Sequence, residues 1–356
     1  MKFNFLVDEN LEHYAYYFAD MGQITAKAGR LLTAEDVKNQ DILLVRSVTK
    51  VNEASLQQSQ VQFVGSATIG TDHLDINYLQ QQAIDWSNAT GCNAQAVAEY
   101  VISALFHIVP QQFQEPNQFC LGIIGLGNVG TRLAKLAQRL GWQVKAYDPF
   151  VQSEQVEMVC WQEILQCDAI SIHTPLTKTG DYPTYHLINQ LAFAQMNPQA
   201  ILINSARGEV IAEQDLIADM RHTGRAVVLD VFEFEPQVSQ ELLELLTLAT
   251  PHIAGYSLEG KVRGTDMLYQ RICQKFALPV QKNMQDLLPK EVQLFTEGKK
   301  LAEQLQQYLP KIYDITQDDK NLRNICKNGV VQQKDFDDLR KNYALRREWS
   351  AFGDNN

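Results

Sequence analysis

The chain has 356 residues, enough for two or three domains, and 45% of them are hydrophobic, an ordinary share for a globular protein with sizeable cores. Its 42 acidic and 31 basic residues give a formal net charge of −11, which disfavours general nucleic-acid binding but leaves room for a local arginine cluster that takes an anionic substrate. No run of about 18 apolar residues occurs, so no membrane-spanning helix is expected. Residues Met1–Asn4 carry no apolar stretch of the kind that opens a secretory signal. The six cysteines, Cys92, Cys120, Cys160, Cys167, Cys273 and Cys326, form no CxxC pair and no zinc-ligand spacing. They predict reduced thiols in a cytoplasmic protein and no metal site.

In chain order, residues 3–7 alternate apolar and polar and predict a strand. Short apolar runs over 41–46 and 61–64 read the same way, with helical stretches and polar turns between them. This rhythm predicts a small parallel sheet covered by helices. Val97, Val101, Ala104, Leu105 and Ile108 recur at helical spacing and predict one helix over 93–109, capped by Asn93 and stopped by Pro110. The polar link 111–118 is a candidate domain boundary.

A second series begins at Phe119. Its strands are expected at 120–124, 144–147, 169–173, 200–204, 226–230 and 248–253, alternating with helices as in a doubly wound sheet. Beyond Gly255, a helix with Met267, Leu268, Ile272 and Phe276 on one side is expected to pack back on the first domain. Pro279 and Pro289 bracket a linker. The tail reads as a helix carrying Leu294, Leu301, Leu305 and Tyr308, a strand through Tyr313 and Ile315, and a helix carrying Phe336, Leu339 and Tyr343.

Gly125-Leu126-Gly127-Asn128-Val129-Gly130 is a GxGxxG sequence that follows an apolar strand and opens a helix. In that setting the first glycine permits a tight turn, the second lets backbone approach a pyrophosphate, and the third allows close helix–strand packing. The helix N-terminus offers unpaired N–H groups to the phosphates. Asp148, at the end of the next strand, is placed to bond the adenosine ribose and to repel a 2′-phosphate, which favours NAD over NADP. The alternative is a glycine turn without a ligand.

Ligands of an open parallel sheet sit at the carboxyl ends of its strands. Three successive strand ends here carry Arg207, the pair Glu233 and Glu235, and His252. Oxidising a 2-hydroxy acid calls for a base that titrates near neutrality, a fork-shaped cation for the carboxylate and C2 oxygen, and a carboxylate to orient the base. His173, also at a strand end, rivals His252, and Glu233 rivals Glu235. Gly208 after Arg207 suggests a tight turn in a crowded place.

The segments 204–208 (NSARG), 230–236 (DVFEFEP) and 250–255 (TPHIAG) together resemble the three catalytic signatures of the D-isomer-specific 2-hydroxyacid dehydrogenase family. The resemblance implies Arg207, Glu235 and His252 as the catalytic set, since the family's glutamate stands just before the proline. It implies a Rossmann-type NAD domain over 94–255 and a smaller flavodoxin-like α/β substrate domain over 1–93 with 256–285. A narrower resemblance, to one branch of the family, rests on 45–51 (VRSVTKV), 70–73 (GTDH), 252–264 and 340–350. It implies a phosphorylated 2-hydroxy acid as substrate and a homodimer joined by a C-terminal α+β dimerisation domain over 286–356.

Carried over by residue, Ser47, Thr68 and Tyr256 are expected at the substrate. Gly125, Gly127, Asn128, Val129, Gly130, Asp148, Thr174, Asp230 and Gly255 are expected at NAD. Ser66 departs from the branch pattern, which has threonine there. Arg46, Lys261, Arg263, Arg346 and Arg347 are the basic candidates for the substrate phosphate, most of them equally readable as solvated charge. The competing readings are a relative that acts on another hydroxy acid, such as a phosphoglycerate dehydrogenase, and a non-catalytic NAD-sensing scaffold.

Overall fold

The computed structural model describes residues 2–114 and 118–354; Met1, residues 115–117 of the polar link and residues 355–356 lie outside the described residues. Two units result, one of residues 1–93 with 257–290 and one of 94–256 with 291–356. The helices that concern the site are α1 (Ala94–Ile108), α2 (Asn128–Arg139), α3 (Leu258–Lys275), α4 (Leu301–Ile312), α5 (Ile315–Asn324) and α6 (Gln333–Lys341).

The first unit is built on a parallel sheet of β1 (Phe3–Asp8), β2 (Gly22–Lys27), β3 (Ile42–Val45), β4 (Phe63–Ser66) and β5 (Asp85–Asn88). Its order, β2-β1-β3-β4-β5, is that of a flavodoxin-like fold. The inner strands β1, β3 and β4 are buried on both faces and are accordingly apolar along almost their whole length. Helix α3 lays Leu268, Tyr269, Ile272 and Cys273 on this sheet among Phe3, Phe5, Phe18 and Phe63; of the expected face, Leu268 and Ile272 are buried there, Phe276 packs at its margin and Met267 lies outside it.

The second unit holds seven parallel strands: β6 (Cys120–Ile124), β7 (Gln143–Tyr147), β8 (Glu157–Met158), β9 (Ala169–Ile172), β10 (Ile201–Asn204), β11 (Val227–Leu229) and β12 (Leu248–Ala249). The order β12-β11-β10-β9-β6-β7-β8 is doubly wound, and the direction of winding reverses between β6 and β9. That reversal opens the crevice in which such sheets bind ligands. The break between units falls at Asn93–Ala94, so the residues 111–114 of the polar link sit inside the second unit. Asn93 does not cap through its side-chain oxygen, because Oδ1 is buried without a partner.

Strand β12 stops four residues before the sequence suggests. Pro251 has no N–H to give, and the N–H groups of Ile253 and Ala254 are drawn to the Asp230 carboxylate instead of a strand ladder. In the tail, the strand expected through Tyr313 and Ile315 is a helix junction. Tyr313 ends α4 in an extended conformation, and Asp314 caps α5 by accepting from the Thr316 N–H. A short hairpin then joins β13 (Cys326–Lys327) to β14 (Val330–Val331) through Asn328-Gly329, both at positive φ, as a two-residue hairpin turn requires. Leu322, Val331 and Phe336 of this tail are buried in the core of the second unit beside Phe232 and Val238.

Leu268 is fully buried between α3 and the first sheet. Leu268→Ala should therefore lower stability by about 2–5 kcal/mol, read by denaturant unfolding. A loss below about 0.5 kcal/mol would contradict this packing.

Candidate active site

The glycine loop joins β6 to α2. Gly125 has φ +94°, and a Cβ there would lie 2.8 Å from the His173 carbonyl oxygen. A Cβ on Gly130 would overlap the Gly125 carbonyl, whereas one on Gly127 would meet nothing within 4 Å. Two glycines thus serve the chain's own packing, and the third faces open space at a helix N-terminus. The Leu126 N–H donates to Asp148 Oδ2 at 2.8 Å, which fixes that carboxylate beside the loop with acceptor sites to spare. Thr174 Oγ1 and Ser205 Oγ, after β9 and β10, are buried without partners. Open backbone, a fixed acidic side chain and orphaned hydroxyls fit a dinucleotide.

Arg207 follows β10 on a turn built by Asn204. The Asn204 amide donates to the Arg207 carbonyl at 2.9 Å and accepts from the Ala206 N–H at 3.0 Å. A Cβ on Gly208 would overlap the Phe232 backbone, which confines that position to glycine. Arg207 Nη1 donates to the Ala206 carbonyl at 2.8 Å.

His252 and Glu235 meet directly: the Nδ1–H donates to Glu235 Oε1 at 2.8 Å. A carboxylate can only accept, so this bond leaves Nε2 as the proton acceptor. Burial by itself raises the Glu235 carboxyl, but His252 and then Arg340 outweigh it and bring it below the usual carboxylate range. The rivals are otherwise engaged. Glu233 pairs with His186 Nε2 at 2.6 Å and accepts from the Glu213 N–H at 2.8 Å. His173 Nε2 bonds Ser171 Oγ at 2.8 Å, and burial pushes its ring down to about 3, which makes it a poor base.

His252 has φ +56°, a conformation that non-glycine residues rarely take. Its loop is gripped from two sides. Asp230 accepts from the Ile253 N–H at 2.8 Å, the Ala254 N–H at 2.9 Å and the Thr250 hydroxyl at 2.6 Å. Burial pushes Asp230 up to about 6, against the pull of His252 and these donors. From the tail, the buried Arg346 donates to the carbonyls of Ile253 (3.0 Å), Tyr256 (3.3 Å) and Ala254, and to that of Ala96 in α1 (3.1 Å). Arg346 is thereby removed from the candidates for the substrate phosphate, since its donors are spent on backbone.

Of the other residues singled out, Ser47 is exposed just beyond β3, and Thr68 Oγ1 lies 2.9 Å from Ser66 Oγ. Ser66 also bonds His73 Nε2 at 2.9 Å, using the hydroxyl that threonine would equally carry. Arg46 is half-buried; Lys261 pairs with Glu12 at 3.8 Å, and Arg263 donates to the Cys92 carbonyl. Tyr256 stacks edge-on against Tyr343 at 5.9 Å. A cavity of about 670 Å³ lies on the tail side of the loop, lined by Pro251, Asp314, Asp318, Asp335 and Asp338 among others. Its acidic wall has the wrong sign for a phosphorylated acid. Among the described residues, no cluster of metal-ligating side chains occurs, and no helix is long and apolar enough to cross a membrane.

Residues 109–254 match the family described as D-isomer specific 2-hydroxyacid dehydrogenase, NAD binding domain, and residues 287–353 match a domain of unknown function. The chain is 56% identical over 349 residues to a protein of Acinetobacter baumannii named erythronate-4-phosphate dehydrogenase, with 98% of each chain covered. It is 46% identical to a Psychrobacter arcticus protein of the same name, with 92% of each covered. Among solved structures, the NAD-bound 3-phosphoglycerate dehydrogenase of Entamoeba histolytica shares the fold with TM-score 0.66 at 24% identity, covering 79% of this chain and 99% of that one. D-lactate dehydrogenase of Aquifex aeolicus, complexed with NAD and lactic acid, does so with TM-score 0.63 at 22% identity, covering 77% and 95%.

Arg346→Ala would take the donor from three buried carbonyls and a part-buried one and should lower stability by about 3–5 kcal/mol, measured by chemical denaturation. A variant as stable as wild type would show that the guanidinium does not hold the loop.

Proposed function

Because the chain belongs to the erythronate-4-phosphate dehydrogenase family, within the D-isomer-specific 2-hydroxyacid dehydrogenases, we propose that it oxidises 4-phospho-D-erythronate at C2 to 2-oxo-3-hydroxy-4-phosphobutanoate with NAD, a step of pyridoxal 5′-phosphate biosynthesis. The observation that carries the mechanism is the 2.8 Å bond between His252 and Glu235 at the strand ends that also bear Arg207. His252 Nε2 takes the C2 hydroxyl proton. Glu235 holds the ring in the tautomer that can do so and stabilises the imidazolium that forms. Arg207 grips the substrate carboxylate in its fork and polarises the oxygen on its way to a ketone. Bound NAD supplies the acceptor for the C2 hydride. On the chain's side, the 125–130 loop takes the pyrophosphate on Gly127, Asn128 and Val129, and Asp148 takes the adenosine ribose. Thr174, Asp230 and Gly255 are assigned to the remaining contacts with the cofactor, and Ser47, Thr68 and Tyr256 to the substrate. We also assign the enzyme to the cytoplasm and to a homodimer formed through the C-terminal segment.

His252→Ala should lose about 10²–10⁴-fold in kcat while its Kd for NAD stays near wild type. Activity within severalfold of wild type would remove His252 from the role of base. NADH formation with 4-phospho-D-erythronate, run beside 3-phosphoglycerate, D-lactate and D-glycerate, tests the substrate. Equal or better turnover of 3-phosphoglycerate would move the enzyme to another branch of the family. The phosphate falls to one or two of Arg46, Lys261, Arg263 and Arg347. Alanine at the right position raises KM for the phosphorylated substrate with little change in kcat, and unchanged KM at all four rejects the set.

A further inference from the structure

Helix α6 of the C-terminal segment sends a second arginine to the catalytic pair. Arg340 Nη1 lies 3.9 Å from Glu235 Oε1, the same oxygen that His252 holds at 2.8 Å. The guanidinium sits 5.9 Å from the centre of the Tyr256 ring, on the loop that carries His252, and 5.9 Å from that of Phe336. The side chain is about 19% exposed, and its Nε is buried with no hydrogen-bond partner. A buried donor without a partner is destabilising, so packing alone gives little reason to keep a cation here. The helix itself is anchored: Phe336 is fully buried and meets Phe232, three residues before Glu235, edge-on at 6.4 Å.

We propose that Arg340 is a positioning residue of the dehydrogenase reaction, delivered by the C-terminal helix to fix the Glu235 carboxylate and the Tyr256 ring around His252. The proposal rests on the hydroxy-acid dehydrogenase reading of this site. Glu235 then has partners on two different elements, His252 after β12 and Arg340 on α6. Asp230 at the end of β11 adds a negative charge that acts on both His252 and Arg340. Glu233, on the same loop as Glu235, is taken up by His186 and the Glu213 amide. Burial works against the charge of Arg340, but Tyr256, Glu235 and Asp230 more than offset it, so the guanidinium stays ionised throughout the working range.

The sign of its effect follows. A fixed positive charge about 4 Å from Glu235 opposes protonation of the Glu235–His252 pair. Taking it away makes the pair hold its proton to higher pH. Hydroxy-acid oxidation needs the pair unprotonated, and keto-acid reduction needs it protonated. Losing Arg340 therefore moves the acid limb of the oxidation pH profile upward, a displacement that general loosening of the fold does not produce.

The test compares wild type, Arg340→Met and Arg340→Lys in two measurements on the full-length protein. The first is a histidine NMR titration of the free enzyme, with the His252 signal assigned by its loss in His252→Ala. In Arg340→Met the midpoint should rise by roughly one pH unit, and Arg340→Lys should return most of it. The second is kcat/KM against pH in both directions with 4-phospho-D-erythronate and its 2-oxo product. Oxidation by Arg340→Met should fall by up to about tenfold at neutral pH, with its acid limb displaced upward by about the same amount as the titration midpoint. An unmoved titration midpoint in Arg340→Met overturns the proposal, as does a loss of activity with an unmoved acid limb. Wild type that fails to turn over this substrate indicts the substrate assignment alone, because the titration needs no substrate.

Discussion

A pair of buried, opposite charges holds the loop from Thr250 to Tyr256. Asp230 collects the loop's N–H groups and the Thr250 hydroxyl, and Arg346 collects its carbonyls. A peptide segment that has left its strand still carries a donor and an acceptor per residue, and both must be satisfied when it is buried. Here one carboxylate and one guanidinium do most of that work for the five residues after Pro251. The left-handed backbone at His252 persists because its neighbours are fixed on both sides. The imidazole consequently projects from a rigid point toward Glu235.

This arrangement divides the charged groups near the site by task. Asp230 is buried, raised to about 6 and occupied with backbone, so it shapes the loop. Glu235 is held below the ordinary carboxylate range by His252 and Arg340, so it is the charged partner of the imidazole. The same contrast separates the histidines at the strand ends. His173 bonds only a serine hydroxyl and has its ring driven down by burial, whereas His252 has a carboxylate on one nitrogen and leaves the other for the substrate. Chemistry and scaffold therefore use the same residue types in different surroundings, and the surroundings decide the role.

Much of this was legible before any coordinates. The inner strands are apolar because they are covered on both faces, and GxGxxG between a strand and a helix has few other uses. The strand ends carrying Arg207, Glu235 and His252 follow from the winding of the sheet. Residue patterns alone left His173 and Glu233 in contention, because which partner a side chain finds depends on packing between distant segments. The outer strands β2 and β5 escaped detection for a related reason: they are partly exposed, and Asp85–Asn88 carries no apolar alternation. The Tyr313–Ile315 reading failed because alternation over three residues also describes an extended helix junction. The Asn328-Gly329 hairpin was signalled by its dipeptide and went unread beside flanking strands of two residues each.

The tail was harder to read because its contribution is not local. Nothing in the spacing of Arg340 and Arg346 separates a solvated helix face from a half-buried guanidinium at one position and a buried one at the other. Only the burial of Phe336 and Trp349 against the second unit turns both arginines inward. Once turned inward, they act at different levels. Arg346 meets four backbone carbonyls through its two terminal nitrogens, so its charge is spent chiefly in holding shape. Arg340 meets a carboxylate at a longer distance and keeps an unused donor, so its charge is still felt by the groups that titrate. A chain with net charge −11 thereby places positive charge where an anionic substrate is oxidised, and it does so by folding its last residues back onto the loop that holds the base.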